Sequence, residues 1–285
     1  MENIMRTMIY LSAGLFMGWS LGANDAANIF GTAVMTRMVR FKTAAVIMGI
    51  MIALGAVVSG AGPVETLGTL GEIIELEEAF AVSLTAALAV LLMVKKGLPV
   101  STSQAIVGAI IGWNLQKGQS IQTDILYKIA GTWVFAPILG AIFAMVFYLA
   151  MKVFRSHTQV HILREDRFLR IALLTAGAFG AYSLGANNMA NVVGVFTNSV
   201  HLRDVSILGW HLLKGEQLLF LVGATAVTLG VFTYSQRVME TVGNDLVRLT
   251  PAAALVVVLA SATVLFIFAS QGLKSTLIMV GLPSF

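Results

Sequence analysis

The sequence predicts an all-α, polytopic membrane helix bundle made of two inverted-topology repeats with broken helices. Three observations lead to this prediction: an apolar composition, repeated apolar stretches of bilayer length, and a polar motif that occurs twice. Hydrophobic residues make up 58% of the 285 residues and charged residues only 11%, whereas soluble domains carry about 25% charged residues. This composition excludes a water-exposed globular domain and indicates a membrane protein.

Eight apolar stretches approach or exceed the length of a membrane span, and a ninth is shorter. A helix needs about 20 residues to cross the hydrocarbon core of a bilayer. The first and sixth stretches are longer than this and contain polar residues in their middle, while the fourth is short and opens on polar residues. The stretches are Thr7–Thr36, Thr43–Gly62, Ala79–Val94, Val100–Trp113, Ile129–Met151, Ile171–Val200, Gln217–Tyr234, Ala252–Ser270 and Leu273–Phe285.

Charges in the loops predict the orientation, because cytoplasmic loops of membrane proteins are enriched in Lys and Arg. Basic residues cluster in Arg37–Lys42, at Lys95–Lys96 and in Lys152–Arg170. The Glu65–Glu78 segment has five Glu and no Lys or Arg, which fits the outside. We therefore predict a multi-pass protein of the cell inner (plasma) membrane whose N-terminus is outside and whose basic connector follows five spans.

The repeated polar motif establishes that the chain contains two related halves. Residues Ser20–Gly31 and Ser183–Gly194 read SLGANDAANIFG and SLGANNMANVVG, are identical at eight of twelve positions, and differ in number by 163 (183 − 20). A second match, Glu65–Gly68 with Glu240–Gly243, has an offset of 175 (240 − 65). Apolar helices share Leu and Ala by chance, but they do not share a Gly-Ala-Asn-x-x-Ala-Asn pattern.

An odd number of predicted spans, five, separates the two motif copies, so the second copy enters the membrane in the opposite sense to the first. Inverted repeats are typical of secondary transporters, whose binding site lies near the midplane where the halves meet. We predict a first repeat over residues 1–155, a basic cytoplasmic connector over residues 156–167, and a second repeat over residues 168–285.

Each motif copy places three polar side chains in the middle of an apolar stretch. An ionised Asp near the bilayer centre costs about 3 kcal/mol, and the Gly-Ala before each Asn predicts a helix break that presents free N–H groups to an anion. Gly and Asn also occur where helices merely pack together. Two copies at matched positions favour a binding site. The candidates are Asn24, Asp25, Asn28, Asn187, Asn188 and Asn191.

A second polar motif, Pro99-Val-Ser-Thr-Ser-Gln104, opens the under-length fourth stretch. Pro and a Ser/Thr cluster before an apolar helical pattern predict a helix N-terminus. Taken alone, the motif indicates an ordinary helix cap at the membrane interface. Together with the two Asn-rich copies, it predicts a helix start that points into the membrane. Its candidate site residues are Ser101, Thr102, Ser103 and Gln104.

The sequence lacks the residues that several other classes of function need. It has no Cys, which excludes disulfides and thiolate metal sites. No GxxxxGK[ST] loop, no Ser/His/Asp set on one span and no basic patch interleaved with aromatic residues is present. We therefore expect no enzymatic activity and no nucleic-acid partner.

On these motifs the chain resembles the inorganic phosphate transporter (PiT) family. The family hallmark GANDVAN, found once in each inverted half, is matched by residues 22–28 and 185–191. The family's P-V-S-T-T-H-like turn is matched by residues 99–104, and its W-x-x-S-P segment by residues 133–137. The resemblance covers essentially the whole chain.

The resemblance implies an importer of inorganic phosphate that works by alternating access and is coupled to sodium or protons. It implies that all ten candidate residues named above bind the substrate, and that Asp25, Asn28 and Asn191 bind the coupling ion. It implies no cofactor, and no metal other than a coupling sodium ion. The expected partners are phosphate (or sulfate) and the lipid bilayer, and the sequence leaves homo-oligomerisation open.

The chain departs from the family pattern at three places. Asn188 replaces the second Asp, which removes a carboxylate that could bind sodium, exchange a proton or accept the P–OH hydrogen of phosphate. Gln104 replaces the usual His. The first half continues from Gly97-Leu98-Pro99 into the Ser/Thr turn, whereas the second reaches Gly281–Phe285. We therefore expect a C-terminally truncated version of a longer protein, unless a partner chain supplies the missing helix.

Other functions remain compatible with these residues. The nearest is a sulfate or other oxyanion permease of the same fold, because sulfate has no O–H group for a second carboxylate to accept. Alternatives from another class are a non-transporting membrane scaffold or receptor, or an anion channel. Saturable, cation-dependent uptake would distinguish a carrier from these.

Overall fold

Helices make up nearly all of the secondary structure in the computed structural model, which describes residues 2–96, 100–157, 162–207, 210–241 and 249–268. The expected end of the second repeat, residues 281–285, lies outside the described residues. The α-helices are α1 Glu2–Ala26, α2 Thr32–Met35, α3 Phe41–Ser59, α4 Ala61–Gly68, α5 Leu76–Lys95, α6 Thr102–Lys117, α7 Thr123–His157, α8 Ile162–Val193, α9 Gly215–Thr233, α10 Ser235–Thr241 and α11 Pro251–Phe268.

Six helices in the described part of the chain are long and apolar enough to cross a membrane, namely α3, α5, α7, α8, α9 and α11. This confirms the predicted polytopic helical bundle. The loop between α8 and α9 contains a short antiparallel ribbon of β1 Val205–Ile207 and β2 Trp210–Leu213. The ribbon satisfies backbone groups in a segment that has no helical pattern.

The helices of the two halves correspond in order and in length. Adding 175 to the residue numbers of α3 and α5 gives 216–234 and 251–270, which match α9 and α11 to within two residues. The helices α1 and α8 carry the two motif copies at the offset of 163 (183 − 20). In the described part of the chain, α1, α3, α4 and α5 of the first half therefore recur in the same order as α8, α9, α10 and α11 of the second half.

Close backbone contacts between the halves obey the same offsets. A Cβ placed on Gly22 would lie 1.9 Å from the carbonyl oxygen of Val227, and one on Gly185 would lie 2.2 Å from that of Ile52. The two contacts are related by the repeat, since 185 − 22 is 163 and 227 − 52 is 175. The motif helix of each half thus packs against a helix of the other half, α1 on α9 and α8 on α3.

The motif helices are not broken at the Gly-Ala step, so this part of the sequence expectation was wrong. Helix α1 stays α-helical to its end and then continues through a π-helical turn, Ala27–Gly31; α8 also stays α-helical and is followed by a 3₁₀ turn, Gly194–Phe196. Gly22 and Gly185 serve close packing instead, because a carbonyl oxygen of the opposite helix occupies the space of a Cβ. The change in helix type begins at the end of the first motif copy, at Ala27, and after the second copy, at Gly194, and in both halves it comes after the first Asn.

Helices α5 and α6 form an antiparallel hairpin whose base is fastened by polar contacts. Glu78 near the start of α5 forms an ion pair with Lys117 at the end of α6. The backbone N–H of Glu72 donates to Oδ1 of Asn114 over 3.1 Å. These contacts join the two open ends of the hairpin, which places its turn at the far end.

The turn of this hairpin lies part-way along the first motif helix. Nδ2 of Asn24 donates to the carbonyl oxygen of Val100 over 2.8 Å, and the helical chain runs on to Met35, 11 residues later (35 − 24), or roughly 16 Å. The stretches predicted as separate spans three and four therefore turn back inside the depth of the bundle. Because this pair contributes either two crossings or none, the second motif copy is inverted in both cases.

The orientation can be tested with single cysteines, since the chain has none. We expect Thr123→Cys, at the start of α7 on the side of the Glu-rich loop, to react with an impermeant thiol reagent in intact cells. Arg167→Cys, an exposed position in the basic connector, should react only after the cells are permeabilised. Labelling of the connector cysteine in intact cells would contradict the predicted orientation.

Candidate functional site

A cavity of about 450 Å³ lies where the two motif copies meet the α5–α6 turn. Its walls are formed by α1, by the α5–α6 turn together with the start of α6, by α8 and by α11. Seven of the ten residues singled out in the sequence line it, although they come from three separate parts of the chain. These are Asp25, Asn28, Ser101, Thr102, Ser103, Asn187 and Asn188.

Asp25 is the one charged side chain among the described residues that line this cavity. It is 8% exposed. Its Oδ1 accepts a hydrogen bond from Nδ2 of Asn24 over 2.7 Å, and its Oδ2 accepts one from Oγ1 of Thr102 over 3.1 Å. Within the described ranges no Lys, Arg or His forms an ion pair with it. The carboxylate is thus hydrogen-bonded only by neutral groups.

The second motif copy holds the same turn from the opposite side. Nδ2 of Asn191 donates to Oγ of Ser103 over 2.9 Å and to Oδ1 of Asn188 over 2.9 Å. Asn24 of the first copy holds Val100 in the corresponding way. Asn24 of the first motif and Asn191 of the second therefore position the described end of the hairpin turn, residues 100–103, which we call the hairpin tip. Both Asn side chains are buried.

Polar donors directed at the cavity remain free. The side chains of Asn28 and Asn187 form no hydrogen bond with any part of the chain that the structure describes. At the start of α6, Oγ of Ser101 accepts from the backbone N–H of Gln104 over 3.3 Å, which confirms the predicted helix start. The other backbone N–H groups in the first turn of α6 and the positive end of its helix dipole lie at the hairpin tip. This arrangement favours the binding of an anion.

Three sequence candidates do not line the cavity. Asn24 and Asn191 lie behind the cavity wall. They donate hydrogen bonds to Asp25 and Ser103, which do line the cavity. Gln104 is exposed, and only its backbone contributes, through the cap of α6.

Helix α11 supplies a wall that sequence reasoning missed. Val258, Ser261, Ala262 and Leu265 line the cavity opposite the hairpin tip. Ser261 is a hydroxyl in an otherwise apolar stretch, but nothing in the sequence marks which of the many apolar helices faces the motifs. The repeat offset offered one signal, because α11 corresponds to α5, which packs beside the first motif helix.

A second cavity, of about 480 Å³, lies on the other side of the hairpin tip. It shares Ser101, Ser103, Asn187 and Leu265 with the first and extends toward α4 and the start of α7. The first cavity extends the other way, toward Gly180 and the earlier part of α11. The tip therefore separates two cavities that run toward opposite ends of the bundle.

An inverted-repeat bundle with a buried polar site between its halves is the architecture of a membrane permease. The comparison with family models gives the same class: the phosphate transporter family matches residues 21–169 and 156–276. The chain belongs to this family. Its members are permeases rather than enzymes, and the chain is a multi-pass membrane protein of the kind that the plasma membrane contains.

Named relatives agree with this family assignment. A "putative phosphate permease" of Pyrococcus horikoshii is 26% identical over 93% of this chain and 84% of its own length. The sulfate permease CysP of Bacillus subtilis is 32% identical over 82% of this chain and 63% of its own length. A solved structure titled the sodium-dependent phosphate transporter shares the fold, with a TM-score of 0.76, 24% identity and coverage of 93% of this chain and 84% of that one.

Proposed function

We propose that the chain imports inorganic phosphate by cation-coupled alternating access. The observation that carries this proposal is a buried carboxylate, Asp25, that has only neutral partners and lies beside donors suited to an anion. The names of the relatives, several of which read "putative phosphate permease", support the choice of substrate.

Electrostatics explains why such a site requires a coupling ion. Two unit charges 4 Å apart interact by about 4 kcal/mol at an effective dielectric constant of 20, so an ionised Asp25 would repel an oxyanion in the same cavity by about that amount. A sodium ion or proton on the carboxylate removes the repulsion. Cation and anion then bind favourably only together, which is the thermodynamic basis of coupling.

The two cavities support alternating access to this site. They share the hairpin tip and Asn187 but extend to opposite ends of the bundle, so a substrate at the tip is reachable from either cavity. Each motif helix packs on a helix of the other half through close glycine contacts. In the proposed cycle, small rotations of the two halves about these contacts open one cavity while the other closes.

Sulfate is the second candidate substrate, and a specific residue favours it. Asn188 occupies the position that corresponds to Asp25 in the second half (188 − 163 = 25), and an amide accepts the P–OH hydrogen of phosphate less well than a carboxylate does. The similarity to a sulfate permease is in keeping with this alternative.

Competition between the two anions tests the proposal directly. In liposomes that contain the purified chain, we expect saturable uptake of radiolabelled phosphate that depends on sodium or on a proton gradient, with sulfate competing poorly. Strong competition by sulfate, together with direct sulfate uptake, would replace phosphate with sulfate as the substrate. Saturable uptake that no cation gradient changes would overturn coupled transport.

Asn188→Asp offers a prediction about selectivity. The restored carboxylate can accept the O–H hydrogen of phosphate but repels sulfate, which has none to donate. We expect the preference for phosphate over sulfate, measured as the ratio of inhibition constants, to rise about tenfold, the effect of roughly one charge-assisted hydrogen bond. An unchanged ratio would show that Asn188 does not contact the anion. Asn198→Asp, outside the cavity, is the matched control.

A further inference from the structure

We propose that the second cavity is an outward-facing anion-binding site, with Lys128 as its cationic residue, that the oxyanion occupies before it reaches Asp25. This inference rests on the proposed function, because the anion is taken to be the transported one. The cavity is lined by α4, the hairpin tip, α6, the first half of α7, α8 and the end of α11.

The charges of the two cavities are opposite. Lys128 is the one charged residue among the described residues that line the second cavity, just as Asp25 is in the first. Lys128 is exposed and forms no ion pair with any described residue. Asp124, one helical turn earlier, neither pairs with it nor lines the cavity. An oxyanion entering this cavity therefore meets a free cation before it meets a carboxylate.

The position of Lys128 fits an entrance. It lies five residues after the start of α7 (128 − 123), and that start is joined to the Glu-rich loop by the backbone N–H of Gln122, which donates to the carbonyl of Leu70 over 3.0 Å. Loop charges place this end of the bundle outside. From Lys128 the lining continues through Thr132 to the residues of the tip that both cavities share, so an anion in the second cavity lies next to the first.

The contrasting interpretation is a lysine that extends to the membrane interface and serves only as an anchor. The two interpretations differ in the electrostatic potential inside the cavity. A cation that faces the cavity raises the local concentration of anions there, whereas an interfacial lysine does not.

Thiol chemistry measures this potential without any need for transport. Thr132→Cys introduces a single thiol that faces the cavity, and its rates of reaction with anionic and cationic methanethiosulfonates are compared in intact cells. We expect the anionic-to-cationic rate ratio to fall about threefold or more when Lys128→Gln is added, the effect of removing a nearby charge. Lys152→Gln, on the same helix but outside the cavity, should leave the ratio unchanged.

Transport gives a second readout. Lys128→Gln should raise the KM for phosphate about threefold to tenfold at low salt with little change in maximal rate, and Lys128→Arg should restore it. If the chain takes up no phosphate but the rate ratio still responds to Lys128→Gln, the proposed function is wrong. The inference that the second cavity is cationic then still holds. A rate ratio that Lys128→Gln does not change would overturn the present inference, whatever the uptake.

Discussion

Replacing Asp25 with Asn is expected to reduce cation-coupled phosphate uptake at least a hundredfold. The carboxylate is buried and accepts hydrogen bonds from Asn24 and Thr102. The amide of Asn can keep both contacts, because its oxygen accepts from Asn24 and its NH2 group donates to the hydroxyl of Thr102. The hairpin tip should therefore stay in place while the group that binds a sodium ion or proton is lost. Uptake by the variant in liposomes, with and without a cation gradient, measures the effect.

The matched control is Asp124→Asn, which changes an exposed carboxylate on α7 that lines neither cavity. Its uptake should remain within about twofold of the unmodified chain, as expected for a surface charge. We expect both variants to insert as the unmodified chain does, and uptake is compared at equal amounts of protein in the membrane. Normal coupled uptake by Asp25→Asn would remove Asp25 from the mechanism.

Adding a methyl group at Gly22 or Gly185 is expected to give a large loss of stability. The new Cβ would lie 1.9 Å from a backbone oxygen of Val227 or 2.2 Å from one of Ile52, and backbone in a packed helix cannot move aside as a flexible side chain can. The helices must separate, at a cost of about 1–3 kcal/mol or more for overpacking. Thermal unfolding in detergent, followed by size-exclusion chromatography, should show a clear decrease in midpoint.

Two other glycines test the sign of this effect. Gly131 and Gly140 lie within α7, and a Cβ on either meets nothing within 4 Å. Because Ala favours a helix over Gly by about 1 kcal/mol, Gly131→Ala and Gly140→Ala should leave stability unchanged or raise it slightly. If Gly22→Ala and Gly185→Ala behaved like these controls, the close contact between the two halves would not exist.

The sequence predicted the parts of the site that carry a local signal. The duplicated Gly-Ala-Asn pattern marked Asp25 and Asn188, and the Ser/Thr cluster marked a helix start at Ser101, which the structure confirms as the cap of α6. These signals are local because a buried polar residue needs a partner and a helix start needs a cap. The functional role of these residues stays a prediction that the experiments above test.

Features that depend on tertiary packing could not be read from the sequence. An apolar stretch has the same composition whether it crosses the membrane or turns back, so the sequence predicts α5 and α6 as separate spans. Gly22 and Gly185 were expected to break their helices, since the opposing carbonyls of Val227 and Ile52 lie far away in the sequence. The α11 wall was missed for the same reason. For the two glycines the deciding neighbour belongs to the other half of the chain. For the α5–α6 hairpin it is the first motif helix, where Asn24 contacts Val100.

Equilibrium binding of radiolabelled phosphate to the purified chain in lipid nanodiscs tests the central claim most directly. That claim is that one oxyanion binds between the two motif copies and that a cation or proton on Asp25 is required for it to do so. At constant ionic strength, phosphate affinity should rise at least tenfold with sodium or with acidification, and Asp25→Asn should bind phosphate with an affinity that neither condition changes. Equal phosphate affinity in the unmodified chain with and without sodium, at every pH, would contradict the account.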